Sequence, residues 1–169
     1  LPYFLEGPAR MMGYMDADDA RKLFNAVKET DIYDKKLAMY KTSASIEKCS
    51  MENGRCRAFT PGWQERENVF LHMEYKYILA MIKAGLYDEY YDTITRALIP
   101  FLDPNMYGRS TLENSSFLAS SVNPNEDVHG RGFVARLSGS TTEMISMWIE
   151  MMMGGKVFTL SGYESEEYL

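Results

Sequence analysis

The residues best suited to chemistry form a small-residue stretch ahead of an apolar segment, Arg136-Leu-Ser-Gly-Ser-Thr-Thr-Glu143. Ser140 followed three positions later by Glu143 has the form of a capping box, which predicts the first turn of a helix. The first backbone N–H groups of a helix have no acceptor within it, and the helix dipole favours negative charge there. Gly139 would let a ligand approach the main chain, and Ser138 offers a hydroxyl. With Arg136 two residues upstream of Ser138, the pattern predicts an anion site.

An ordinary capped helix that binds nothing has the same pattern. Glu143 counts against an anion because it brings its own negative charge to this helix end. Both interpretations stay open from these residues alone. The anion site requires other parts of the chain to bring polar groups to the same place.

Further candidate residues lie around the two histidines. His72 is predicted in the first turn of a helix, so its imidazole could project from the same end of a bundle as the loops. A single helical histidine is also common as a core or boundary residue. Arg66 and Glu67, just upstream, fit a surface ion pair as well as a binding role. His129, next to a glycine, is interpreted as a residue that orders its loop.

Composition limits the function classes. A chain of 169 residues with 46% hydrophobic residues is long enough for one domain with a core. A net charge of -6 argues against a nucleic-acid partner. The sequence contains no apolar run of the roughly 18–20 residues that a membrane span requires. Cys49 and Cys56 fit neither a disulfide framework nor a zinc site, so we expect a cytoplasmic setting and no metal.

The hydrophobic pattern predicts an all-α fold of helical hairpins joined by polar loops. Helices are predicted over 17–29, 34–41, 68–84 and 88–99, and a further one begins at Ser140. The helix over 68–84 is apolar nearly all round, so we expect it to be buried. No periodicity is visible over 101–137, and a loop of that length usually carries function. The opening residues and the strand-like pattern over 156–169 suggest a piece of a longer polypeptide.

Two sequence blocks resemble a known enzyme family. Thr60-Pro-Gly-Trp-Gln-Glu-Arg-Glu-Asn-Val-Phe-Leu-His72 resembles its pattern P-G-x-x-x-E-N-(G)-x-F-x-H, and Arg136-Leu-Ser-Gly-Ser-Thr141 resembles its [ST]-G-[ST]-[AS] block. The family is the cellobiose-phosphorylase-like glycoside phosphorylases, inverting enzymes built on an (α/α)6 barrel. The segments 107–110, 112–117 and 129–141 are similar to a less studied branch of it.

The resemblance implies a function and a role for each matching residue. Residues 1–169 would be the late part of an (α/α)6 barrel catalytic domain, in an enzyme that converts a β-linked glucan oligosaccharide or disaccharide reversibly to a sugar 1-phosphate. His72, Ser138 and Gly139 would contact inorganic phosphate, the co-substrate, with no other cofactor. Glu67 and the adjacent Arg66 would lie near the acceptor sugar.

The sequence also departs from the family pattern. Val69 stands where better-known members have glycine, and the family's Trp-Asn-Asp motif, which carries the general acid, has no counterpart. The resemblance therefore implies no catalytic acid in this chain and a partnership with the remainder of the barrel. A homodimer is a compatible assembly. Two alternatives remain: a glycoside hydrolase on the same barrel, or a non-catalytic helical fragment that binds a partner chain or carbohydrate.

Overall fold

The computed structural model describes residues 2–134 and 138–155. It is mostly helical, with two small antiparallel sheets. The helices are α1 (Glu6–Met12), α2 (Ala17–Lys28), α3 (Leu71–Lys83), α4 (Tyr87–Ala97), α5 (Pro104–Tyr107) and α6 (Ser138–Met153). The strands are β1 (Tyr33–Asp34), β2 (Met39–Tyr40), β3 (Val69–Phe70), β4 (Phe117–Leu118) and β5 (Gly132–Phe133). Within the described ranges, no helix is long and apolar enough to cross a bilayer.

Helix α3 is the centre of the core. Helices α1, α4 and α6 all pack against it. Its side chains are buried on nearly every side, including Leu71, Tyr75, Ile78 and Met81, each fully inaccessible to solvent. The predicted burial of this helix is therefore confirmed, and its cause is the apolar sequence all round the cylinder.

A glycine ends α3 and starts the helical hairpin with α4. Gly85 has a φ of +80°. Its N–H donates to the Ile82 carbonyl at 3.1 Å, and the Leu86 N–H donates to the Met81 carbonyl at 3.0 Å. These bonds close the end of α3, as expected for a glycine after the last helical residue. The predicted helices over 17–29 and 88–99 are likewise found, as α2 and α4, within two residues at each end.

The predicted helix over 34–41 is wrong, because this segment is the hairpin of β1 and β2. Asp34 Oδ1 accepts the N–H groups of Lys36 and Leu37, at 3.1 and 3.2 Å, which holds the chain in a turn. Tyr40 is buried and its ring meets that of Tyr77 edge-on, with centroids 4.9 Å apart. Local hydrogen bonding and tertiary packing outweigh the helix propensity of this segment.

The segment over 101–137, predicted to have no regular structure, supplies two strands of the second sheet. The order is β3-β4-β5, with Phe70 opposite Phe117 and Phe117 opposite Phe133. Strands of two residues are too short to show a period in the sequence. Pairing in this sheet holds β3 in place. Because α3 begins directly after β3, the sheet also positions the start of α3.

The helix-rich character of the predicted fold is confirmed, whereas the two sheets and α1 were not predicted. The strand expected over 156–169 lies outside the described residues, as do Arg136 and Leu137.

Candidate functional site

The site is built around His72, the second residue of α3. Strand β3 runs directly into this helix, and the Leu71 N–H donates to the Ser116 carbonyl at 3.0 Å, which ties the helix start to the neighbouring strand. The imidazole meets the Phe70 ring edge-on, with centroids 5.9 Å apart. The His72 side chain is 31% exposed. It therefore lies partly at the surface, beside the sheet that carries Phe70.

The start of α6 packs against this imidazole. A Cβ added to Gly139 would lie 2.6 Å from His72 Nδ1, closer than real side chains approach. Only glycine at this position allows the helix backbone and the ring to be so close. Two segments far apart in sequence, the His72 block and the Ser138–Gly139 block, thus meet at one place.

The helix begins at Ser138, two residues before the predicted start. Ser140 is consequently the third residue of α6 and fully buried, so its predicted role as the capping residue at the helix start is wrong. The helix starts earlier than the capping pattern predicts because packing of α6 on α3 stabilises its first turn in addition to any capping. Gly139 lies inside this first turn, where the positive end of the helix dipole is strongest.

Glu143 lies on the other side of the imidazole. Its Oε1 is 3.5 Å from His72 Nε2, an ion pair when the ring is protonated. Gly139 and Glu143 are four residues apart and so share one face of α6. The acid that argued against an anion from sequence alone is therefore held by the histidine.

The structure places Arg66 in the loop before β3, with its guanidinium turned to other loop segments. Its Nη1 donates to the carbonyls of Arg57 and Phe59 at 3.0 and 3.1 Å, and Nη2 pairs with Glu47. The residue is only 7% exposed. These contacts clamp the preceding segment, so Arg66 has few donors left for a ligand.

Glu67 is 5% exposed, rather than on the surface, and its backbone has a φ of +54°. Its Oε2 lies 3.5 Å from Arg66 Nε, and its carbonyl accepts the Ser120 hydroxyl. Within residues 2–134 and 138–155, neither Arg66 nor Glu67 makes a hydrogen bond or ion pair with His72 or Gly139. The structure thus joins His72 to Gly139 and joins Arg66 to Glu67, as two separate pairs.

An aromatic wall, which we define as Trp63, Phe133, Phe117 and Phe70, leads from the first sequence block to His72. Consecutive ring centroids are 3.7, 5.5 and 4.8 Å apart, and the Trp63–Phe133 pair is nearly parallel at 6°. All four residues are partly exposed. Because Trp63 and Phe133 stack face to face, a ligand can contact only the parts of these rings that the stack leaves exposed. The sequence did not reveal this wall, because its members come from three strands and a loop.

His129 orders its loop, in agreement with its predicted role. Its Nε2 lies 2.8 Å from the Asn123 carbonyl oxygen, and its Nδ1 lies 2.8 Å from Lys36 Nζ. The ring therefore joins the loop to the turn between β1 and β2.

A buried carboxyl group, Glu74, was also not singled out in the sequence. It has no exposed surface, and its Oε1 accepts the Tyr40 N–H at 2.8 Å. Burial raises its pKa to about 8, so the group is neutral at pH 7. The available signal was its position one helical turn before Ile78, on a helix pattern that is apolar nearly all round.

Comparison with known proteins finds no matching family model and no matching curated protein sequence. The resemblance to glycoside phosphorylases therefore rests on the two sequence blocks alone. Among the described residues, no group of three or more His, Cys, Asp or Glu side chains is placed to hold a metal ion.

Proposed function

We propose that this chain is the phosphate-binding segment of a glycoside phosphorylase that acts on a β-linked glucan oligosaccharide or disaccharide. The observation that carries the proposal is the contact between the His72 imidazole and the first turn of α6 at Gly139. An imidazole N–H can donate a hydrogen bond to an anion, and the positive end of a helix dipole favours negative charge at the same place. His72 and Gly139 belong to the two blocks that resemble the family.

The aromatic wall supports the carbohydrate part of the proposal. Sugar rings stack on aromatic faces through their C–H groups, and the partly exposed rings end at His72. A sugar bound against this wall would lie next to His72, beside the proposed anion position at Gly139. Glu67 and Arg66 would act from their loop by shaping the acceptor side, as the resemblance implies.

The reaction follows from this arrangement. A phosphate oxygen forms a bond to the anomeric carbon while the bond from that carbon to the glycosidic oxygen breaks, with inversion of configuration. The leaving oxygen takes a proton from a carboxylic acid on the opposite face, supplied by another part of the barrel. His72 and the α6 start hold the phosphate in line for attack.

Phosphate binding by the 169-residue chain is the first test. We expect inorganic phosphate to raise the melting temperature. At a phosphate concentration 100 times the Kd, binding adds about 2.7 kcal/mol to the free energy of unfolding. The variant His72→Gln should lose most of this shift. His129→Gln is the matched control and should keep it, because His129 lies in another loop. An equal phosphate-induced shift in both variants would refute the proposed site.

Activity separates phosphorylase from hydrolase. In a polypeptide that contains this chain together with an acid-bearing segment, sugar 1-phosphate should form only when inorganic phosphate is present. A rate of glycoside cleavage that does not change with phosphate would favour the hydrolase instead.

The exposed face of α6 favours a second candidate function, a non-catalytic role in binding a partner chain. Ile145, Trp148 and Met152 are 53%, 60% and 61% exposed, and they follow helical spacing on one side. An apolar stripe of this kind is typical of a protein interface. Light scattering tests this role by measuring the molar mass of the wild type and of Trp148→Glu. An interface role predicts that the wild type assembles and that the variant dissociates; neither other function predicts this difference.

A further inference from the structure

A groove separate from the aromatic wall lies over α3, between α1 and α6. Its volume is about 350 Å³. The floor consists of small or buried apolar residues, Ala9, Gly13, Leu79 and Ala80. The depression exists because these residues leave space between the two helices that pack on α3. The groove is open to solvent on one side, and it combines this apolar floor with charged side chains at its edges, as small-molecule sites often do.

The charged groups of the groove are mostly positive. Arg10, Lys76 and Lys83 line it, whereas the chain as a whole carries a net charge of -6. Lys76 and Lys83 are seven residues apart on α3, so they lie on one face of the helix about 10 Å apart along its axis. The cations therefore form a row beside the apolar floor.

Part of this charge is already neutralised, and part is available. Glu6 pairs with Arg10 at 2.7 Å and lies 3.7 Å from Lys76. Within the described parts of the chain, Lys83 has no ion pair and its side chain is exposed. Glu143 also lines the groove, but it lies against His72. An incoming anion would therefore gain the most electrostatic stabilisation at the Lys83 end of the groove.

Tyr14 adds an aromatic face at the rim. It lines the groove, yet it is 93% exposed. A tyrosine ring left in water beside an apolar floor can cover one face of a planar ligand. This ring and the small floor residues set the shape of the ligand body.

We propose that the groove between α1, α3 and α6 binds a small organic anion, with a phosphate or carboxylate group near Lys83 and a compact planar body over Gly13 and Ala80. The site is distinct from the proposed phosphate site at Gly139 and touches it only at Glu143. Phosphate and carboxylate share the chemistry that the lysine recognises, and the experiment distinguishes them.

The experiment is a titration of the 169-residue chain, followed by NMR chemical shifts, with phenyl phosphate, benzoate, inorganic phosphate and benzyl alcohol. We expect phenyl phosphate or benzoate to bind with a Kd on the order of 1 mM. Inorganic phosphate, which lacks the body, and benzyl alcohol, which lacks the charge, should bind at least tenfold more weakly at this groove. The tighter of the two aromatic anions identifies the preferred acidic group.

Three variants locate the binding. Lys83→Gln should raise the Kd roughly three- to tenfold by removing one cation, and Lys48→Gln, an exposed lysine outside the groove, is the charge-matched control with no change. Gly13→Leu should abolish binding by filling the floor. Its backbone suits any residue, with φ of -66°, and an added Cβ meets only the Arg10 carbonyl oxygen, at 3.8 Å, so the variant should fold.

The proposal is overturned by any of three results. One is an aromatic anion that binds at the groove no more tightly than benzyl alcohol or inorganic phosphate binds there. Another is a Kd that stays the same in Lys83→Gln and Gly13→Leu. The last is binding abolished by His72→Gln but retained in the groove variants, which would assign it to the start of α6. Conversely, if the wild type does not bind phosphate at His72 while the aromatic anions still bind in the groove, only the proposed function is refuted.

Discussion

The closest contact between the two sequence blocks gives the sharpest prediction, for the substitution Gly139→Ala. The added Cβ would lie 2.6 Å from His72 Nδ1 and 2.8 Å from its Cγ. Ordinary contact requires about 3.5 Å or more, so the imidazole must move by roughly 1 Å. Overpacking of this kind typically costs about 1–3 kcal/mol. The ring is partly exposed and can rotate away, which places the cost at the lower end.

The helix itself gains from the same substitution. Replacing a helical glycine by alanine stabilises by about 0.5–1 kcal/mol where nothing obstructs the methyl group. The His72→Ala background supplies the matched control, because the imidazole atoms that the added Cβ would meet are absent there. We therefore expect Gly139→Ala to be neutral or stabilising in that background, and destabilising by up to about 2 kcal/mol in the wild type.

Urea denaturation of a double-mutant cycle measures the effect. The wild type, Gly139→Ala, His72→Ala and the double variant give the coupling free energy between the two positions. Because removing the imidazole removes the clash, Gly139→Ala should become neutral or stabilising in the His72→Ala background, a coupling of about 1–2 kcal/mol. NMR of the histidine side chain should show a changed imidazole environment in Gly139→Ala only. A coupling of zero, with Gly139→Ala equally favourable in the wild-type and His72→Ala backgrounds, would refute the packing on which the site depends.

Further predictions concern groups that the fold buries. Because burial raises the pKa of Glu74 to about 8, above its value near 4.5 in the unfolded chain, its contribution to stability is complete below pH 4.5 and is lost as the pH rises toward 8. Unfolding free energies from pH 5 to 9 should fall by up to about 1.4 kcal/mol per pH unit from this group, and Glu74→Gln should remove that slope. Arg66→Ala should cost about 2–4 kcal/mol and speed hydrogen exchange over 47–59, because two carbonyls lose their donor; unchanged exchange would contradict the clamp. Asp34→Ala should cost about 2–3 kcal/mol in thermal unfolding, since its carboxylate accepts both the N–H and the hydroxyl of Ser121 at 2.7 Å, whereas Asp31→Ala, at an exposed position outside this contact, should change little.

Several elements were predictable because their signals are local. Asp16 caps α2 by accepting the Asp19 N–H at 2.9 Å, as its position before a helical pattern indicated. Gly85 and Gly154 end their helices with positive φ, the conformation that glycine favours. The burial of α3 follows from apolar residues on all sides. Each of these features depends on residues within a few positions of one another.

Other elements could not be predicted because their partners are distant in sequence. The sheet of β3, β4 and β5 pairs segments that are separated by long stretches of chain. The turn after Asp34 also depends on Ser121, which binds the same carboxylate. The start of α6 moved from Ser140 to Ser138 because packing on α3, and not the capping pattern alone, fixes the first turn. Intrinsic propensity does not contain such information.

The sequence by itself determined which groups were available: a histidine at a helix start, a glycine at another, and the helices that carry them. The tertiary structure alone decided that these groups touch, that Glu143 faces the imidazole, and that Arg66 is used to clamp a loop. The physical reason is that helix ends and caps depend on neighbouring residues, whereas a site depends on packing between segments. That packing is fixed by the burial of α3 against α1, α4 and α6.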